Sequence, residues 1–268
     1  MIIDFHTHIF PDSIAEKSVK FLAEKGNIKN HTEGTARSLL ESQEKAGIDL
    51  SVVLPVATKP KQFSSITKFA AFVNEKYEGS LLSFGGIHPL SPDFKQELKT
   101  IKSEGLKGIK LHPEYQDVFI NDIACKRLIY EASALGLITV IHAGRDVAFP
   151  EPVKSNPDGI AEVIAEIKPE KFVLAHFGGF HCWEEVEEKI CGKDVFIDTS
   201  STLEFIDEEL FHSIYLKHGY KKILFATDSP WCDQKNYVET IKKLIKNKEE
   251  LKLVMGENAQ KLLALTFS

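Results

Sequence analysis

Eight short apolar runs alternate with amphipathic stretches along the whole chain, and this alternation constrains the fold more than any other feature. The runs cover residues 2–5, 51–56, 81–87, 108–111, 138–141, 172–175, 195–197 and 223–226. Most are rich in β-branched residues or leucine and are nearly unbroken by polar side chains, as strands read when helices cover both faces of a parallel sheet. Helical periodicity follows at 37–46, 65–76, 94–104, 123–135, 160–167, 184–189, 204–217, 237–246 and 257–265. Gly47, Gly79, Gly105 and Gly136 stand at the ends of four of these stretches, where a left-handed cap carries no steric cost.

A strand–helix repeat permits a closed barrel or an open doubly wound sheet, and the polar residues at the strand ends discriminate. The first strand ends Asp4-Phe-His-Thr-His8, with alternation placing His6 and His8 on one face. The fifth ends Ile141-His142-Ala-Gly144, the sixth Ala175-His176-Phe-Gly-Gly179, and the eighth Ala226-Thr-Asp228-Ser-Pro-Trp231. Side chains from strands one, five, six and eight meet only if strands one and eight are neighbours. The expectation is therefore α/β: a single (β/α)8 TIM barrel of parallel strands over residues 1–268, with its active site at the C-terminal strand ends.

Length agrees, since 268 residues suit one such barrel. The formal net charge of -6, with lysines and acids interleaved, speaks against nucleic acid. No run approaches the ~20 apolar residues of a membrane span, and the opening Met1-Ile-Ile-Asp-Phe-His shows no secretory signal pattern. Four cysteines without a C-x-x-C pair suggest a reducing compartment and structural thiols, Cys182 included. The expected setting is cytoplasmic, with a small-molecule substrate, neither nucleic acid nor membrane as partner, and a homo-oligomer compatible with a barrel's outer helices. Two connections are long, 9–35 and 144–159, the second carrying Pro150, Pro152 and Pro157; these are the expected walls of a substrate pocket.

Several further stretches join the strand-end motifs: Gly86-Ile-His-Pro89, Gly108-Ile-Lys-Leu-His-Pro113 and Gly256-Glu-Asn-Ala259. As a set, running from residue 4 to 259, they resemble the amidohydrolase superfamily. The resemblance is specifically to the branch that includes metal-dependent TIM-barrel hydrolases and the aminocarboxymuconate and resorcylate-type decarboxylases. It implies that His6, His8, His142 and Asp228 bind a metal and that His176 sits at the edge of the ligand set. Three neutral imidazoles and a carboxylate suit one Zn2+ per chain, with a position left for water. Asp228 then doubles as a proton acceptor, and His176 orients the water or protonates the leaving atom.

Lys110 and His112 share the inward face of strand four. Lys110 reads as a carboxylated bridge between two metals, as a substrate-binding cation, or as a buried lysine paired with an acid; the mononuclear reading is adopted, with Lys110 and His112 lining the pocket. Arg145 is placed either on a substrate carboxylate or in a loop ion pair. His88 is a substrate-side or loop-holding residue, and Glu114, Tyr115 and Gln116 fit the pocket without assigned roles. His31, His212 and His218 are expected at the surface, and the hydroxyl run 199–202 reads as a helix cap. No phosphate loop, dinucleotide fingerprint or nucleophile elbow is present. Hydrolysis of an amide, ester or lactone is the leading expectation; decarboxylation of an aromatic or unsaturated acid is second, and a non-catalytic metal-binding scaffold third.

Overall fold

The computed structural model describes residues 1–149 and 151–265. Nine parallel strands appear: β1 (Ile3–Thr7), β2 (Leu50–Val53), β3 (Leu81–Ser83), β4 (Gly85–Gly86), β5 (Gly108–Leu111), β6 (Ile138–Ile141), β7 (Phe172–Leu174), β8 (Phe196–Asp198) and β9 (Ile223–Leu224). The expected third strand is thus two pieces, β3 pairing with β2 and β4 with β5. Phe84 between them still donates its N–H to Val53 O at 2.9 Å, so the pair occupies one barrel position. The break has a packing cause. A Cβ on Gly85 would come within 2.8 Å of Ile101, and one on Gly86 within 2.9 Å of Ile66, so the bare backbone lets two outer helices approach.

The barrel closes where β9 runs out beside β1. Phe5 N–H donates to Phe225 O at 2.9 Å, Asp228 N–H to His6 O at 2.8 Å, and His8 N–H to Ser229 O at 2.6 Å. Closure leaves no open edge on either terminal strand.

Helices α1 (Asp12–Gly26), α2 (Ala36–Ala46), α3 (Phe63–Lys76), α4 (Phe94–Ser103), α5 (Pro113–Gln116), α6 (Ile123–Ala134), α7 (Pro157–Ile167), α8 (Trp183–Lys189), α9 (Glu208–His218), α10 (Gln234–Leu244), α11 (Lys248–Lys252) and α12 (Asn258–Leu262) complete the fold, a π-helical turn (Leu253–Glu257) joining the last two. Nine of them match the expected periodic stretches, with ends displaced by up to four residues; α1 lies in the long 9–35 connection, and α5 and α11 have no counterpart among those stretches. Inside the barrel, Phe5, Val52, Phe84, Val140, Val173 and Leu224 form one apolar cluster, floored by Ala259, Leu262 and Leu263. A larger apolar layer packs the sheet against the outer helices. The four cysteines are free, Cys191 alone partly exposed. Among the described residues no helix is long and apolar enough to cross a membrane. Of the three prolines in the 144–159 connection, Pro150 lies outside the described residues.

One surface expectation fails. His31 and His212 are exposed or partly exposed, but His218, in the last turn of α9, is buried. The turn's Tyr215 and Ile214 belong to the core, which draws His218 inward, and its Nε2 donates to Val195 O at 3.0 Å. Burial, with Lys222 adding to it and that hydrogen bond opposing, pushes the imidazole's pKa from 6.5 down to about 4. The unfolded chain therefore takes up a proton at a pH where the fold refuses one. The stability this neutral histidine permits is complete above pH 6.5 and declines as pH falls toward 4. We predict that acidification from pH 7 to 5 removes about 2 kcal/mol through this group. Urea titrations of His218→Gln, which keeps an N–H donor, should show that much less loss; an unchanged acid loss would clear His218 of the effect.

Candidate metal centre

Strand β1 carries a register shift against β2 between Asp4 and Thr7. Below the shift Ile3 and Phe5 enter the barrel interior, while Asp4 accepts from Thr227 Oγ1 at 2.6 Å and Gln234 Nε2 at 2.8 Å. Irregularities of this kind re-aim side chains, and above it His6 and His8 converge, their Nε2 atoms 3.2 Å apart. Asp228 Oδ1 completes the corner at 3.4 Å from His6 Nε2 and 3.1 Å from His8 Nε2.

The protons explain why this corner fits a cation. His8 Nδ1 lies 2.8 Å from Leu54 O, an acceptor only, so it holds its proton there and leaves Nε2 a lone pair. His6 Nδ1 is likewise turned to Asp198 Oδ2 at 3.0 Å. Two nitrogen lone pairs and a carboxylate oxygen thus face one another. Their separations match the ~3.3 Å edge of a tetrahedron with metal–ligand bonds of about 2.0–2.1 Å. Burial and the nearby Lys110 push His6 well below the usual imidazole pKa, which keeps that lone pair free. Burial would raise Asp228, but His6 and His8 outweigh it and hold the carboxyl below its usual range.

The supporting layer contains the residues that sequence reasoning missed. The run 199–202 caps no helix; α9 is capped by Asp207 instead. Ser200 Oγ lies 3.0 Å from both His6 Nδ1 and His176 Nδ1 and donates to Asp198 Oδ1, while Ser201 Oγ donates to Asp228 Oδ2 at 2.6 Å. The signal was the alternation of Asp198 and Ser200 at a strand end, the same test that singled out His6 and His8. His176, Ser201 and Asp228 all adopt left-handed φ, at 58°, 45° and 73°. Backbone strain in non-glycine residues is retained where surrounding contacts over-determine it, and here the polar network does so.

The structure brings three of the four expected ligands together and seats the fourth beside them. His142 lines the same cavity, but its Nδ1 is 2.9 Å from His176 Nε2 and its Nε2 is 3.1 Å from Arg145 O. It stacks on His112, ring centroids 4.2 Å apart, and with His112 and Asp146 forms a second cluster of ligand atoms. His176 also belongs to a cluster with His6 and Asp198. Lys110 is buried, its Nζ 3.2 Å from His6 Nε2, with its pKa pushed down to about 8 by burial against the pull of Asp198, Asp228 and Glu114.

Arg145 lines the cavity and is paired with Glu151 at 2.6 Å, the loop ion pair of the two alternatives. His88 is absent from the described lining; its Nδ1 accepts Leu90 N–H at 3.1 Å, the loop-holding one of its two readings. Glu114 gains a role: Oε1 accepts from Lys154 N, Ser155 N and Ser155 Oγ at 2.8–3.1 Å, tying the 144–159 wall to the end of β5. Burial raises its carboxyl to about 7. Gln116 braces two strand ends through Ala57 O and Ile87 O.

A protein-family model described as Amidohydrolase matches residues 3–265. Similar solved structures include an uncharacterized TIM-barrel protein from Bordetella bronchiseptica, at 16% identity and TM-score 0.77 with 98% of each chain covered. Another is a dihydroxybenzoic acid decarboxylase from Polaromonas, with bound manganese and 2-nitroresorcinol, at 13% identity and TM-score 0.74, covering 100% of this chain and 98% of that one. A third is a probable 2-pyrone-4,6-dicarboxylic acid hydrolase from Acinetobacter baumannii, at 16% identity and TM-score 0.68, covering 98% and 99%. At these identities the likeness establishes the fold. No curated protein matches the sequence.

Metal content by elemental mass spectrometry tests the corner. About one divalent metal per chain is expected, with His8→Ala weakening retention by at least tenfold and Lys110→Met retaining the metal. About two metals per chain, falling when Lys110 is replaced, would instead make Lys110 a bridge.

Proposed function

The chain belongs to the amidohydrolase family, and on that premise we propose that it is a metal-dependent hydrolase acting on an amide, ester or lactone of a small molecule. The observation that carries this reading is the convergence of His6 Nε2, His8 Nε2 and Asp228 Oδ1, three lone-pair donors held at 3.1–3.4 Å. We assign the cation to these three residues, with His142 as the fourth ligand, its Nε2 exchanging Arg145 O for the ion; zinc suits the donor set, although a structurally similar decarboxylase holds manganese. Bound there, such an ion acidifies water and polarises a carbonyl oxygen.

The protein's own groups supply the rest. Asp228 keeps one oxygen on Ser201 and turns the other into the corner, so it can take the proton of an attacking water. His176 stands between His142 Nδ1 and Ser200 O at 2.9 and 3.1 Å. Ser200 O only accepts, so His176 keeps its Nδ1 proton there and meets His142 Nδ1 through Nε2, the nitrogen at which it can hold or release a proton. This suits His176 to carrying a proton to the leaving atom. Lys110 and His112 offer donors to the substrate's oxygens, and Glu114 holds the loop that shields the reaction from bulk water.

A lyase is the second reading, favoured by the decarboxylases of similar fold and by Lys110, a buried cation able to hold a carboxylate. Product analysis on metal-replete protein separates the two. Hydrolysis of an amide, ester or lactone panel should fall by about 10²–10⁴ in Asp228→Asn. Release of CO2 from hydroxybenzoates or enoic acids, with no hydrolytic turnover, would replace this proposal by the lyase.

A further inference from the structure

The polar corner occupies only the floor of a cavity of about 780 Å³, in the upper part of the ~300–1,000 Å³ range of small-molecule pockets. Its walls are largely apolar, and helix α1 shows why. Ala15 and Val19 are buried and seat the helix on the barrel. A second stripe, Ile14, Ser18, Phe21, Leu22 and Lys25, lines the cavity. These positions recur at i, i+4, i+7, i+8 and i+11, one helical face.

Among the described residues that stripe has no partner sufficient to cover it. Ile14 is 48% and Phe21 60% exposed, and the cavity-lining Val147 and Phe205, from two other segments, are 49% and 51% exposed. Large apolar groups gathered around one mouth mark a ligand's path more than chance exposure. Two wall cations are already engaged: Lys25 Nζ lies 3.5 Å from the Phe149 ring centroid, and Arg145 is paired with Glu151.

We infer that the cavity receives acyl compounds with an extended apolar chain, the carbonyl end at the His6–His8–Asp228 corner and the chain running outward past Phe69 to Ile14, Phe21 and Phe205. This deepens the hydrolase reading and rests on it for the carbonyl's position. A single-ring acid would leave the mouth uncovered, whereas each added methylene removes more of the rim from water.

The test reads binding without turnover. Metal-replete protein is titrated with butanoate, hexanoate, octanoate, decanoate and benzoate, below micelle-forming concentrations. The readouts are the fluorescence of Trp231, which lines the cavity, and calorimetry. Kd should fall about two- to fourfold per methylene, the upper figure corresponding to ~0.8 kcal/mol per fully buried CH2. Decanoate should bind at least tenfold tighter than benzoate. Phe21→Ser and Ile14→Ser, exposed positions with little bearing on folding, should weaken decanoate about tenfold and leave butanoate unchanged. A flat series, or benzoate binding as tightly as decanoate, would overturn the inference. So would a flat series with dimerisation abolished by Phe21→Ser, which would make the rim a subunit contact. A graded series without hydrolysis of any acyl panel would support chain binding while refuting the hydrolase reading.

Discussion

The candidate site depends on backbone hydrogen bonds between the first and last strands. Asp228 N–H donates to His6 O and His8 N–H to Ser229 O, and these two bonds bring three lone-pair donors from opposite ends of the chain to one corner. Closing a loop of that length is entropically costly. The apolar interior of Phe5, Val52, Phe84, Val140, Val173 and Leu224, drawn from strands around the barrel, offsets the cost. Barrel closure and the convergence of donors are one structural event.

A buried polar cluster is tolerated only when its members are paired. Asp198 and Ser200 sit behind His6 and His176, Ser201 behind Asp228, and Leu54 O behind His8. Each fixes the tautomer or rotamer of the group in front of it, and together they hold His176, Ser201 and Asp228 in left-handed backbone conformations. At the cavity side the Nε2 atoms of His6 and His8 and Asp228 Oδ1 face one another, with Lys110 Nζ 3.2 Å from His6 Nε2.

Much of this was legible in sequence because strand and helix periods are local. The near-continuous apolar runs marked strands covered on both faces, and glycines marked helix ends. Polar residues at strand ends identified His6, His8, His142, His176 and Asp228 before any contact was known. The third strand was read as one element where Gly85 and Gly86 split it, since the cause, Ile101 and Ile66 approaching the bare backbone, lies on two other helices. His218 was placed at the surface because nothing within α9 distinguishes it from a solvent-facing residue; the core around Ile214 and Tyr215 does.

By itself, then, the sequence determined the strand–helix alternation, the parallel closed barrel and the set of side chains gathered at one end, because each follows from spacing along the chain. Only the tertiary structure decided which of them touch. It set His142 against His176 and His112, moved Ser200 and Ser201 from a supposed cap to the support of the His6–His8–Asp228 corner, and turned His88 to its own loop. Hydrogen bonds between residues up to 230 positions apart (Asp4 and Gln234, 234 − 4) arise from the register of neighbouring strands, the β1 irregularity and loop packing. None of those has a local signature.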